Sequence, residues 1–256
     1  MKKKKEYYYQ SFDEDIVESN NQDYQIPEDY QWIKKGWLYK LSSSIFYSLA
    51  YVFGLIYCRI FLHVRISNNK VLKSYRKQGY FLYGNHTQPI GDVFIPAIVT
   101  KKRIYTIADK ANLGVTGIGP LLPKIGILPI GNSMSQMKKL WEAVKKRIEE
   151  KKCVVIYPEA HVWPYYTNIR PFSDTAFKFP VDCQVPSFCI TTTYYQRKYF
   201  KKPGIVIYVD GPFVPDNTIQ PKEAQQKLWE EISKTMQNRS KHSTYQYINY
   251  KERKSS

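Results

Sequence analysis

Cysteine is scarce and scattered in this 256-residue chain. Cys58, Cys153, Cys183 and Cys189 form no Cys-x-x-Cys pair, and three of them sit in apolar runs. That argues against a disulfide framework and for small buried hydrophobes in a reducing compartment. Histidine is as scarce, and the four histidines do not cluster with the cysteines at ligand spacing, so no metal site is expected. Acidic side chains are short in supply: Asp+Glu 22 against Lys+Arg 39 leaves +17. The lysines at 2 to 5 are followed by Tyr9-Gln10-Ser11-Phe12-Asp13-Glu14-Asp15 and not by an apolar core. No secretory signal peptide is expected, and the catalytic part should stay in the cytoplasm. Zinc-finger, basic-zipper and RNP-like patterns are missing too, so no nucleic-acid partner is expected.

What is present is a globular composition, 43% hydrophobic and 24% charged, long enough for one domain with attached ends. A +17 field attracts polyanions: nucleic acid, an anionic membrane lipid surface, or phosphorylated substrates. The 23 tyrosines suit base stacking or a membrane interface equally. Residues 1–30 are polar, with acidic Asp13, Glu14, Asp15 and Glu18, and read as a mobile arm. Residues 31–66 read as a membrane-associated helical segment. Within it Leu41 to Cys58 is 18 residues without a charge, at the lower limit for a span. Basic residues flank both sides, so charge gives no orientation. A helix embedded in the plane of the membrane fits better than a simple span, and the alternative is an apolar helix packed on the domain's own core. Residues 241–256 read as a frayed basic tail.

Residues 67–240 alternate short apolar strands with helical stretches. Strands are expected at Tyr80–Tyr83, Ile104–Ile107, Ile125–Ile130, Cys153–Tyr157, Val185–Thr191 and Ile205–Val209. Ser133 to Glu150 opens on an Asn-Ser cap with Gln136 three residues on, and Met137, Leu140, Trp141, Val144 and Ile148 recur at helical spacing. Pro221 to Gln237 opens on proline and lines Ala224, Leu228, Ile232 and Met236 along one face. This pattern predicts an α/β fold: a mixed, largely parallel central sheet flanked by helices.

The chemistry gathers at two strand exits. Asn85-His86 follows the first apolar run, and Asp92 opens the next helix, where an anion is favoured. A carboxylate can hold a histidine in one tautomer and make it a general base for a hydroxyl. The alternative is a lone histidine in a turn beside a plain helix cap. The second exit, Pro158-Glu159-Ala160-His161, ends the Cys153–Tyr157 run.

These residues together resemble the glycerolipid acyltransferases, the family that includes 1-acylglycerol-3-phosphate acyltransferase. Asn85-His86 with a following Asp92 is similar to its first motif. Ala108 to Leu113 resembles its Lys-containing segment, Gly126 to Ile130 its second motif, and Tyr157-Pro158-Glu159 its third. Phe177-Lys178 and Val185-Pro186 resemble the pieces that follow. The resemblance covers about residues 78 to 210 and implies a membrane-associated O-acyltransferase of phospholipid synthesis or remodelling. In it His86 deprotonates an acceptor hydroxyl, Asp92 orients His86, and the donor is acyl-CoA or acyl-carrier protein with no cofactor. It implies acceptor contacts from Asn85, Lys110, Glu159, His161, Arg170 and Lys178, the acceptor being a lysophospholipid or glycerol phosphate.

Three departures stand out. Five residues, Thr87 to Gly91, separate His86 from Asp92 where the family has four, and Pro89 and Gly91 suggest a loop able to absorb the extra one. The second motif has Gly131-Asn132 in place of its arginine, and the third lacks its Gly-Thr-Arg. Arg170 is close enough in sequence to stand in as a phosphate grip. Two other functions remain open: a basic membrane-binding protein with a decayed core, and a thioester or lipid hydrolase using the same dyad.

Overall fold

The computed structural model describes residues 5–17, 21 and 23–253. In chain order the elements are strand β1 (Lys5–Tyr9), helix α1 (Trp37–Ile56) continued by a π turn (Tyr57–Phe61), and β2 (Val64–Ser67). Then come β3 (Tyr80–Gly84), α2 (Gly91–Thr100), β4 (Ile104–Ala108), β5 (Ile127–Pro129) and α3 (Met134–Glu149). The chain continues through β6 (Cys153–Ile156), α4 (Lys178–Cys183), β7 (Ser187–Tyr195), β8 (Gly204–Phe213), α5 (Pro221–Ser240) and β9 (Ile248–Glu252).

Seven strands form the central sheet in the order β2-β8-β7-β3-β6-β4-β5. Every neighbouring pair is parallel except the β7–β8 hairpin. The expected α/β fold with a mixed, largely parallel sheet is therefore what forms. The central strands β3 and β6 are buried along their whole length because both faces of the sheet are covered. Along β3, Phe81 and Tyr83 join one core and Tyr80 and Leu82 the other. Along β6, Val154 and Ile156 pair with the first and Cys153 and Val155 with the second. The first core is closed by α3 and α5 through Leu140, Val144, Leu228 and Ile232, the second by α2 and the end of α1 through Ile95, Ile98, Cys58 and Leu62. Ser133 caps α3 by accepting from the Gln136 amide, while Gln136 Oε1 accepts from the Asn132 amide at 2.7 Å.

Helix α1 leans on α2 at Gly54, where a Cβ would come within 2.5 Å of the Phe94 ring, so only glycine allows this approach. Its other side is uncovered. Leu38, Leu41, Ile45, Leu49, Val52, Ile56 and Ile60 form an exposed apolar line at helical spacing. The helix through Phe61 is long and apolar enough to cross a membrane, and only 11% of its most apolar window is buried.

The two chain ends differ from expectation. Residues 5–9 and 248–252 pair as parallel strands, Tyr7 opposite Tyr250, where a mobile arm and a frayed tail were expected. Their polar composition hides tyrosines that find a shared aromatic partner. Trp163 is fully buried, with Tyr250 stacked on it at 5.0 Å and the Tyr9 ring tilted against it at 4.8 Å. Glu18, Lys2 to Lys4 and residues 254–256, also assigned to arm and tail, lie outside the described residues.

Candidate active site

Parallel register sets the site. Tyr83 of β3 lies opposite Ile156 of β6. Three residues further along the chain, just past each strand, come His86 and Glu159, so they emerge level at the carboxyl edge of the sheet. Open α/β sheets bind ligands at that edge. The His86 amide donates to Glu159 Oε2 at 3.1 Å, which locks the two exits together.

From His86 the chain turns through Thr87–Gly91 and enters α2. A side chain at Gly91 would meet Gln88, Leu62 and Ile95 within 3.2 Å, so the turn is tight and abuts the end of α1. The turn absorbs the extra residue. Asp92 Oδ2 stands 2.8 Å from His86 Nδ1 and also accepts from the Gln88 amide at 2.9 Å. A carboxylate can only accept, so Nδ1 carries the imidazole proton and Nε2 keeps its lone pair. The His86 side chain is 20% exposed and Asp92 2%. Nε2 has no hydrogen bond among the described residues. Burial raises the Asp92 carboxyl above its ordinary range, and the bonds from His86 and the Gln88 amide oppose that.

Tyr157, to which the motif resemblance gives no role, holds the dyad from below. Its ring stacks on the His86 imidazole, centroids 4.5 Å apart and planes 18° from parallel. Its hydroxyl donates to the Asp92 carbonyl at 2.7 Å. That carbonyl needs the donor: its helical partner would be the N–H four residues on, and residue 96 is proline. The sequence contains both residues, but only the fold brings them to one carbonyl. Thr87 and Gln88 are tied down by the Tyr194 hydroxyl, at 2.7 and 2.9 Å.

The expected acceptor contacts divide. Asn85 is buried, and its amide closes two bonds on the Thr192 backbone of β7, at 3.1 and 2.8 Å. It braces two strands and presents nothing to a ligand. Glu159 is buried as well. It accepts from the amides of His86 and Arg170 and pairs with the Arg170 guanidinium at 3.3 Å. Burial raises its carboxyl, against the pull of Arg170. Arg170, expected as a phosphate grip, points inward instead. It is 1% exposed, lies 4.9 Å over Trp163, and donates to the carbonyls of Phe12 and His161. Both terminal nitrogens of its guanidinium are engaged, because the third-motif loop folds over it and the N-terminal segment seals it, while its buried Nε has no partner among the described residues.

His161 is 39% exposed and faces Asp15, 3.9 Å away. Lys110 leaves the carboxyl end of β4, two strands from β3 or about 10 Å across the sheet, and its ammonium reaches Gln25 at 3.2 Å. Lys178 is exposed on the helical face above Trp141, 5.7 Å from its ring, and its contacts do not include the dyad. Val93 and Phe94, which follow Asp92 in the chain, line a small apolar cleft between α1, α2 and the sheet together with Tyr47, Tyr51 and Ile98, and neither dyad residue lines it. Among the described residues no group of three or more His, Cys, Asp or Glu could hold a metal ion.

Residues 63–193, just over half of the chain, match the family model described as Acyltransferase. Among solved structures, the crystal structure of the 1-acyl-sn-glycerophosphate (LPA) acyltransferase PlsC from Thermotoga maritima is similar in fold, with a TM-score of 0.52. The two are 11% identical, and the match covers 81% of this chain and 82% of that one. No curated protein sequence matches the chain.

Proposed function

Since the chain belongs to the Acyltransferase family, we propose that it moves a fatty acyl group from a thioester, acyl-CoA or acyl-carrier protein, to a hydroxyl of a lysophospholipid or glycerol phosphate. The observation that carries this is the His86–Asp92 pair at 2.8 Å, on an imidazole that is 20% exposed. His86 Nε2 takes the acceptor's hydroxyl proton. The freed oxygen attacks the thioester carbonyl and forms the new C–O bond, giving a tetrahedral oxyanion. Its collapse breaks the C–S bond, and the imidazolium returns its proton to the leaving thiolate. Asp92 keeps the imidazole in the required tautomer and stabilises the cation between the two transfers. The balance closes with donor and acceptor alone, so no cofactor enters.

The small apolar cleft lined by Val93 and Phe94 would have to widen to take the acyl chain, and its apolar lining suits that role. The exposed line of α1 is suited to lie in the membrane plane, with Phe61, Ile90 and Val93 exposed where the helix ends beside the dyad loop. A lipid acceptor would then reach His86 without leaving the interface. Its phosphate would be met by Lys110 at the sheet edge, because Arg170 is committed to Glu159.

The test is thiol release from a long-chain acyl-CoA, with and without a panel of lysophospholipids, in wild type and His86→Ala. The expected result is acceptor-dependent release with a new diacyl lipid, lowered about 100- to 10,000-fold in the variant. Acceptor-independent release lost in His86→Ala would make the protein a hydrolase. No release from CoA or carrier-protein thioesters would leave a membrane-binding protein with an idle dyad.

A further inference from the structure

We infer that the tip of the β7–β8 hairpin is a second membrane contact, selective for an anionic lipid surface, that works with α1 to seat the active site against the bilayer. This rests on the in-plane reading of α1 proposed above. The tip reads Gln196-Arg197-Lys198-Tyr199-Phe200-Lys201-Lys202: four cations, two aromatic rings and no carboxylate in seven residues. Tyr199 is 80% exposed and Phe200 55%. A two-residue turn would suffice to join antiparallel strands. Here a longer loop is held in shape by the Arg197 Nε bond to the Lys202 carbonyl at 2.9 Å, with the guanidinium 4.0 Å over the Phe200 ring.

Its position gives it a role. In β7, Ile190 lies opposite Gly84, the last residue of β3, and the strand continues to Tyr195. Five further residues carry the tip roughly 16 Å past the end of β3, on the edge where His86 emerges. Val64 pairs with Ile205, which brings the tip to the place where α1 ends, and the His63 and Phe200 rings are 5.4 Å apart. Arg59, Ile60 and Phe61 are exposed at that same end of the helix. The apolar line of α1 therefore runs on into Phe200 and Tyr199, flanked by Lys198, Lys201 and Lys202.

That sequence of chemistries matches a bilayer of negative surface charge. Aromatic rings settle at headgroup level, lysines meet anionic headgroups, and hydrocarbon covers the leucines of α1. A nucleic acid would meet the lysines but offers nothing to the continuous apolar line. The base of the hairpin is joined to the catalytic loop, since the Tyr194 hydroxyl bonds Thr87 and Gln88. Seating the tip thus orients the mouth of the site toward lipid.

The full-length protein is to be sedimented with vesicles of phosphatidylcholine alone, and of phosphatidylcholine and phosphatidylserine in equal amounts. Wild type is expected on both, at least about 100-fold tighter on the anionic vesicles at low salt, with the gap narrowing as salt rises. The triple variant Lys198→Ser, Lys201→Ser, Lys202→Ser should lose about 100-fold on anionic vesicles and keep its neutral binding. Tyr199→Ser with Phe200→Ser should weaken both about tenfold, with circular dichroism and melting unchanged because the tip is outside the core. Leu41→Ser with Leu49→Ser reports separately on α1. If that variant loses neutral binding while neither hairpin variant changes anything, the hairpin inference is overturned and the α1 reading stands. If wild type binds neither vesicle, both fall. If the hairpin variants lower retention on single-stranded DNA and leave vesicle binding untouched, the surface belongs to nucleic acid and the inference is overturned.

Discussion

Two buried carboxylates stand side by side at the carboxyl edge of the sheet, one paired with an imidazole and one with a guanidinium, and the pairs are built for opposite ends. His86 and Asp92 meet at 2.8 Å, and Arg170 and Glu159 at 3.3 Å. In both the carboxylate is buried. The partner of each carboxylate differs. The imidazole is 20% exposed with one nitrogen unbonded among the described residues, whereas the guanidinium is 1% exposed and bonded to Glu159 and two carbonyls. A titratable group left partly open can exchange a proton with a substrate. A fixed charge sealed with its counter-charge can only hold structure. The His86 amide on Glu159 joins the two, so the sealed pair forms the platform on which the open pair is aimed.

The largest effect is expected from breaking the sealed pair. Glu159→Gln leaves a buried guanidinium without its counter-charge and should cost about 3–5 kcal/mol of stability, read as a lower denaturant midpoint at unchanged slope. If stability holds and only the acceptor KM rises, Arg170 is a substrate ligand and the contrast fails.

Asp92→Asn comes next and should separate catalysis from folding. Activity is expected to fall about 100-fold or more in kcat with little change in KM. The pH dependence has a defined sign. Burial raises the Asp92 carboxyl, so the folded chain holds that proton more tightly than the unfolded chain. The stability it contributes is full below the unfolded pKa and is lost as pH rises through the folded one. Activity runs the other way, present above the raised pKa and lost as pH falls through it. Wild-type stability relative to Asp92→Asn should therefore grow on acidification while wild-type kcat declines. Parallel melting and kcat profiles between about pH 4 and pH 7 would show it, and parallel slopes would refute it.

A smaller effect is expected at Tyr157. Tyr157→Phe keeps the stacked ring and removes the donor to the Asp92 carbonyl, which Pro96 cannot replace. About 1–3 kcal/mol of stability should be lost, with kcat reduced more than KM because the dyad loosens while the acceptor site stays intact. Lys110→Ala should have the least effect, a rise of about fivefold in KM for a phosphate-bearing acceptor, since an exposed charge is screened. An unchanged KM would remove phosphate from the acceptor's recognition at that point.

Much of the site was legible because it is local. The strand before Asn85-His86 shows as an apolar run, Asp92 is six positions along, and Pro89 with Gly91 mark a turn that absorbs one extra residue. The faces of α3 and α5 follow from helical spacing alone, and Leu140, Val144, Leu228 and Ile232 are buried as that spacing requires. Direction was not legible for long polar side chains. Arg170 has the same sequence neighbourhood whether it faces a ligand or the core. What turns it inward is Phe12, 158 residues away, together with Glu159 and His161. Asn85 is claimed by Thr192, 107 residues on, and Trp163 joins the two chain ends through Tyr9 and Tyr250.

The sequence by itself determined the α/β alternation, the closeness of His86 and Asp92 and the apolar run of α1, because periodicity, turn chemistry and close spacing act within a few residues of the chain. Only the tertiary structure decided which charged groups are sealed, which carbonyl Tyr157 serves and how the chain ends pair, because a buried polar atom takes whichever partner the packing of distant segments brings within hydrogen-bond reach.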